Sequence, residues 1–250
     1  MKTISNIFYT SYQHPRQSLD VHLPDCSKFP VFIYFHGGGI VAGSKEQQWI
    51  PHLVKKGIAV VSCNYRLYPE ASYPDFIKDA AAAVAWTYKH LGEYGEVKEI
   101  FIGGSSAGGY LTQMLCFDKK YLAMHKIDAD NVAGYVMDAG QPTTHFNVLK
   151  ERGIDTRRVI VDEAAPLYHI TRNREYASMQ IIVAENDMIN RAEQTALMIS
   201  TLKHMGCPEE KIDYRFVPGC KHVEYLKVFD DKGDNLFAKM VSEFIQGNTK

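Results

Sequence analysis

The sequence contains no apolar run of about 18 residues, so it encodes no helix able to span a bilayer. It also lacks an excess of either charge. A formal net charge of −1 supplies no pull toward nucleic acid or anionic lipid, so neither is expected as a partner. Cysteine is sparse and unpaired in pattern: Cys26, Cys63, Cys116, Cys207 and Cys220 are scattered, with no C-x-x-C pair. That excludes a zinc ribbon or a dithiol redox motif and reads as buried, reduced thiols in a cytoplasmic protein. Met1 to Pro15 is polar and aromatic and lacks the apolar core of a signal peptide. There is no internal repeat and no low-complexity linker.

What is present is ample core material. Hydrophobic residues make up 46% of 250 residues and charged residues 23%, which suits one soluble domain spanning 1–250. Short runs rich in β-branched and aromatic residues recur at Val31–Phe35, Ala59–Cys63, Glu99–Gly103, Val132–Met137 and Gln180–Ala184. Continuous apolar runs of this length fit strands buried on both faces of a parallel sheet. Helical patterns lie between them. Ile77, Ala81, Val84 and Tyr88 recur as one stripe, and so do Met198, Leu202 and Met205 before a Gly206/Pro208 stop. The alternation predicts an α/β fold, a mostly parallel sheet with helices on both faces. Ile4–Thr10 and Gln17–Leu23 read as antiparallel edge strands. Residues 140–174 break the rhythm, with a short helix expected near His145–Lys150; so long a connection reads as a lid or pocket insert.

The chemistry concentrates in Gly104-Ser105-Ser106-Ala107-Gly108-Gly109. A Gly-x-Ser-x-Gly sequence between a strand and a helix is a nucleophile elbow, a sharp turn that exposes the serine hydroxyl. Register selects Ser106, because a central Ser105 would require glycine at 107, where Ala107 stands. No G-x-G-x-x-G is present, which argues against a dinucleotide fold. An oxyanion formed at Ser106 needs backbone N–H donors. His36-Gly37-Gly38-Gly39 follows an earlier strand, where such a loop supplies them, so Gly38 and Gly39, with Ala107, are the candidate oxyanion-hole residues.

An elbow serine in this fold is followed in the chain by an acid and then a histidine. The apolar run Gln180–Ala184 ends in Glu185-Asn186-Asp187. Asp187 is the preferred acid because it stands a few residues beyond the strand; Glu185 is the alternative, and an Asp here could also cap the next helix. Only His204 and His222 lie downstream. His204 falls in a helical stretch, whereas His222 follows a strand-like segment, Asp213–Val217, and a Pro218-Gly219 turn. An imidazole there suits proton transfer near neutral pH.

Together, His36-Gly37-Gly38-Gly39, Tyr65-Arg66-Leu67-Tyr68-Pro69-Glu70, Pro74, Asp79, the Ser106 elbow, Asp187 and Gly219-Cys220-Lys221-His222 resemble the hormone-sensitive-lipase-like esterases of the α/β-hydrolase fold. The resemblance covers most of the chain from Val31 onward. It implies Ser106, Asp187 and His222 as catalytic triad, no metal or organic cofactor, and hydrolysis of short acyl esters, acetyl esters of sugars included. Two departures stand out. Ser105 occupies a position where that family usually has an acid. Only about 30 residues precede the first strong strand, too few for the family's helical cap, which points to a compact acetylesterase-like member with an open pocket. Tyr68, Tyr110, His145 and Tyr168 are candidate substrate-binding side chains, and Tyr225 joins the tyrosines weighed as sugar platforms or as ordinary core. A carbohydrate deacetylase, an arylformamidase or amidase, and a non-catalytic receptor on the same scaffold are the rival readings. The receptor would be expected to have lost a triad member, and all three are present.

Overall fold

The computed structural model describes residues 1–249. Eight strands form one sheet: β1 (Lys2–Phe8), β2 (Ser18–Leu23), β3 (Lys28–Phe35), β4 (Ala59–Cys63), β5 (Glu96–Ser105), β6 (Gly134–Asp138), β7 (Ser178–Asn186) and β8 (Ile212–Lys221). Seven α-helices accompany them: α1 (Ile50–Val54), α2 (Asp75–His90), α3 (Ala107–Phe117), α4 (Lys120–Ala123), α5 (Phe146–Glu151), α6 (Arg191–His204) and α7 (Leu236–Gly247). The sheet order is β1-β2-β4-β3-β5-β6-β7-β8. β1 and β2 pair antiparallel, as their sequence suggests, and from β4 to β8 every pairing is parallel. This is the α/β-hydrolase fold.

The continuous apolar runs are explained by burial on both faces. In β3, Val31, Ile33 and Phe35 face the core that holds α2, α3 and the buried side of α6. Phe32 and Tyr34 face the opposite core with Trp49, α1 and α7. The α2 stripe buries Ile77, Ala81 and Val84, but Tyr88 near its end is 41% exposed. Four of the cysteines are buried and none is in a disulfide; Cys26, contrary to expectation, is exposed. Among the described residues no helix is long and apolar enough to cross a membrane.

Asp79 on α2 ties three segments together. Its carboxylate accepts from Gln17 Nε2 at 2.7 Å, from Arg66 Nε at 2.9 Å, from Arg66 Nη2 at 2.8 Å and from the Arg66 backbone N–H at 3.0 Å. The entry to β2, the exit from β4 and α2 are thereby fixed around one buried carboxylate.

β8 corrects the sequence reading. Pro218-Gly219 is not a turn that ends the strand, which continues to Lys221. The ladder with β7 shifts register between Ala184 and Asn186, and Gly219, at φ +73°, donates its N–H to the Glu185 carboxylate at 2.7 Å. The irregularity that a proline and a positive-φ glycine impose is absorbed as a bulge.

Candidate active site

Five parallel strands end on one edge of the sheet, and a residue of interest follows each: His36 after β3, Ser106 after β5, Ala139 after β6, Asp187 after β7 and His222 after β8. Ligands in open α/β sheets bind beyond these carboxyl ends.

Ser106 has φ +56° and ψ −111°, outside the regions an ordinary side chain prefers, a strain of about 1–3 kcal/mol that the surrounding packing must hold. Its N–H donates to the Asp138 carbonyl at 2.8 Å. Gly108, two residues on, allows the close approach of β3: a Cβ there would lie 1.9 Å from the Phe35 carbonyl oxygen. The turn therefore has no slack, and the Ser106 hydroxyl is presented in one place.

His222 Nε2 lies 2.8 Å from Ser106 Oγ, and His222 Nδ1 lies 2.6 Å from Asp187 Oδ1. Burial alone would raise the Asp187 carboxyl, but the His222 hydrogen bond and charge, with the backbone N–H groups of Met188 and Ala184, outweigh it and hold it below the usual aspartate range. An ionised Asp187 only accepts, so Nδ1 carries the proton and Nε2 is left to accept from the serine hydroxyl. The residues separated by 116 positions in sequence are thus brought into one relay. Glu185, the alternative acid, is committed to Gly219 instead. His204 is exposed on α6.

The glycine loop lies against the elbow. A Cβ on Gly37 would come within 3.3 Å of Ser106 Cβ. Gly38, at φ +110°, folds the chain so that its carbonyl accepts from Val41 and Ala42 at 3.1 and 3.0 Å. Among the described residues the N–H groups of Gly38 and Gly39 have no acceptor. Ala107 opens α3 directly after the serine, where a helix leaves its first N–H groups unpaired. His36 beneath the loop is buried, stacks on Tyr65 at 4.5 Å and contacts the Gly37 carbonyl through Nδ1 at 2.6 Å. Burial pulls its ring down to about 4, so it is neutral and structural at ordinary pH.

Residues 140–174 are pinned to the body rather than loose. Asn147 Nδ2 donates to the Gly39 carbonyl, the Tyr73 N–H to Glu151 at 3.1 Å, Tyr110 Oη to the Ala164 carbonyl at 2.8 Å, and Arg174 pairs with Asp130. Two of the four candidate substrate contacts are corrected by this packing. Tyr110 is fully buried with its hydroxyl spent on Ala164, and His145 is 1% exposed, caps α5 by accepting from the Asn147 N–H, and sits between Tyr110 and Phe146. Tyr225 is also in the core. Tyr68 is half-buried beside the glycine loop, its N–H donating to Ile40 at 2.8 Å, and Tyr168 is exposed on the insert.

Asp138 is the residue that sequence reasoning missed. It is the register partner of Ser105 and is fully buried. Ser105 Oγ accepts from Tyr34 Oη at 3.0 Å, and Asp138 Oδ1 accepts from the Tyr225 hydroxyl, three residues past His222. Burial pushes the Asp138 carboxyl up to about 7, with the Ser105 and Tyr225 hydroxyls and His222 pulling the other way. Ser105 thus has a buried carboxyl beside it on the neighbouring strand. Among the described residues no group of three or more His, Cys, Asp or Glu side chains is placed to hold a metal ion.

The BD-FAE family model matches residues 19–149, just over half of the chain. Esterase LipI of Mycobacterium tuberculosis is 40% identical over 96 residues, which are 37% of this chain and 30% of that protein. The aligned stretch thus spans less than a third of that relative. Among solved structures, esterase B from Lactobacillus rhamnosis superposes with a TM-score of 0.80 at 16% identity, covering 98% of this chain and 85% of that one. A truncated carbohydrate esterase from gut microbiota gives 0.79 at 19%, covering 99% and 96%. At those identities the likeness is one of fold. Fold, elbow and family model agree: the chain belongs to the BD-FAE family, among the hormone-sensitive-lipase-like α/β hydrolases.

Proposed function

We propose that the protein is a serine carboxylesterase that hydrolyses short-chain acyl esters through an acyl-enzyme on Ser106. The observation that carries this reading is the continuous relay from Asp187 through His222 to Ser106, set beside a glycine turn with unpaired N–H groups. The esterase name of the relative LipI supports it.

In the proposed mechanism, Ser106 Oγ attacks the acyl carbonyl as His222 Nε2 takes its proton. Asp187 keeps the imidazole in the tautomer that can accept and steadies the imidazolium. The negative oxygen is met by the N–H groups of Gly38, Gly39 and Ala107, each such donor contributing about 3 kcal/mol to the barrier reduction. His222 returns the proton to the departing alcohol. A water activated by the same nitrogen then cleaves the acyl-enzyme.

The cleft next to Asp187 is rimmed by exposed Val159, Met188 and Ile189. A long acyl chain would stay largely in water there and gain little from burial, which favours short chains. Residues 140–174 serve as a wall of that cleft. Five cysteines without a disulfide fit a reducing, cytoplasmic setting.

The test is hydrolysis of p-nitrophenyl esters from acetate to octanoate, beside acetylated xylose and formylkynurenine. Wild type is expected to favour chains up to butyrate, and Ser106→Ala to abolish turnover. Full activity in Ser106→Ala removes the mechanism, a preference for octanoate removes the short-chain reading, and faster release from formylkynurenine moves the protein to amide chemistry.

A further inference from the structure

The cleft beside Asp187, about 570 Å³ in volume, is lined by three arginines and by no aspartate or glutamate. It borders the segment that follows Asp187 on one side and the helix that packs on the glycine loop on another. Met188, Ile189 and Asn190 continue directly from Asp187, while Phe146 packs at the glycine loop and precedes Asn147, which holds the Gly39 carbonyl.

The arginines differ in kind. Arg157 is paired with Asp155 at 2.6 Å. Arg158 is exposed and, among the described residues, makes no ion pair. Arg191 is only 4% exposed, yet its guanidinium meets no carboxylate: Nη1 donates to the Ala139 carbonyl and Nη2 rests on the Met188 sulfur at 3.9 Å. Burial pulls Arg191 down to about 10, against the raising effect of Asp187 and Tyr225, so it remains a cation at neutral pH. Arg191 feels the Asp187 charge but makes no ion pair, and a buried cation so loosely compensated is costly to keep. Arg191 is also the first residue of α6, a 14-residue helix, whose N-terminal dipole favours an anion at the same spot. Gln194 adds a neutral donor. Its Oε1 accepts from Thr143 Oγ1 at 3.0 Å, which leaves its amide N–H groups for the cleft.

We propose that this cleft receives a carboxylate carried by the substrate, so that the preferred esters bear an anionic group remote from the bond that is cut. Arg191 at the floor and Gln194 beside it orient the carboxylate, and Arg158 at the rim draws it in. Met188, Phe146 and Val159 pack on the linking carbons. This inference rests on the esterase reading and names its substrate class.

Two matched pairs test it: mono-p-nitrophenyl glutarate against p-nitrophenyl valerate for an anion on the acyl side, and 4-acetoxybenzoate against 4-acetoxybenzamide for one on the alcohol side. The readout is the ratio of kcat/KM for the anionic to the neutral member. In at least one pair this ratio is expected to fall about fivefold in Arg158→Gln, which touches no structural partner, and about tenfold in Arg191→Met, because hydrogen bonds to charged groups are the stronger kind. In wild type it also falls as NaCl rises from 0.05 to 0.5 M. Ratios that neither variant nor salt changes overturn the proposal. Glutarate binding to the Ser106→Ala protein, followed by calorimetry, keeps the test independent of turnover. Binding weakened by Arg158→Gln supports the cleft even where no ester is hydrolysed, and no binding refutes it.

Discussion

Replacing Asp138 by asparagine should change how stability depends on pH. The carboxyl stands fully buried beneath the elbow, with Oδ1 bonded to Tyr225 and Oδ2 without a hydrogen-bond partner among the described residues. In the unfolded chain it titrates near 3.8, and in the folded protein burial moves it to about 7. The folded pKa is the higher one, so the group's stabilising contribution is complete below about pH 4 and is lost as pH rises through about 7. At about 1.4 kcal/mol per unit the full span is roughly 4 kcal/mol, and about 2.5 kcal/mol of it falls between pH 5 and pH 8. Asparagine removes the titration. It also places an amide N–H₂ in the same buried site, where an imperfectly paired donor costs up to about 1–3 kcal/mol, the same at every pH. The sign of the substitution at any single pH is therefore set by two opposing terms, but the gap between variant and wild type is not. It should move in favour of the variant by about 2.5 kcal/mol from pH 5 to pH 8. Urea unfolding at four pH values, followed by the fluorescence of Trp49 and Trp86, reads that gap directly. A gap constant to within about 0.5 kcal/mol would show that Asp138 does not titrate in this window, and the argument from its burial would fall.

Other substitutions probe the remaining parts. Asp187→Asn keeps the shape but lets the imidazole take the tautomer that cannot accept from Ser106, so kcat for p-nitrophenyl acetate should drop by about 10⁴ with KM little altered; a loss under tenfold would mean another group orients His222. Gly38→Ala combines φ +110° with a Cβ 2.2 Å from the Ala42 carbonyl oxygen, so the turn must re-form; a fall of about 10²–10³ in kcat with circular dichroism unchanged is expected, and wild-type kcat would remove Gly38 from the oxyanion site. Asp79→Ala strands the donors of Gln17 and Arg66, the latter partly in solvent, and should cost about 2–3 kcal/mol in urea unfolding. A cost below about 0.5 kcal/mol would show that the three segments do not depend on that carboxylate.

Strands buried on both faces are legible in the sequence because apolar residues dominate them: Ala59–Cys63, polar only at Ser62, matches β4 to the residue. The elbow, the glycine loop and the order of acid and histidine were legible for a related reason, since each is a local motif at a strand end. What escaped was decided by partners distant in the chain. Pro218-Gly219 reads as a turn, and only the Glu185 carboxylate across the ladder makes it a bulge inside β8. Tyr110 and His145 read as substrate contacts, yet each is buried and finds its hydrogen-bond partner inside the protein. Asp138 falls between the run Val132–Met137 and the insert and drew no reading. Its signal was positional: it directly follows the apolar run, two residues before the insert, on the strand that receives the serine's own N–H.

The sheet order has a further consequence for how the molecule fails. Ser106 follows β5, a strand with neighbours on both sides, whereas His222 hangs from β8, the outermost strand, most of whose residues are not buried. Edge elements open with less free energy than central ones. The histidine's seat is secured by Gly219 on Glu185, by the Lys221 N–H on Glu224 at 2.8 Å and by Tyr225 on Asp138. Fraying of β8 would withdraw the proton acceptor while the elbow stays folded. Warming or mild denaturant should then silence the protein as a fuse does, before its core melts, and cooling should restore it without any need to rebuild the sheet.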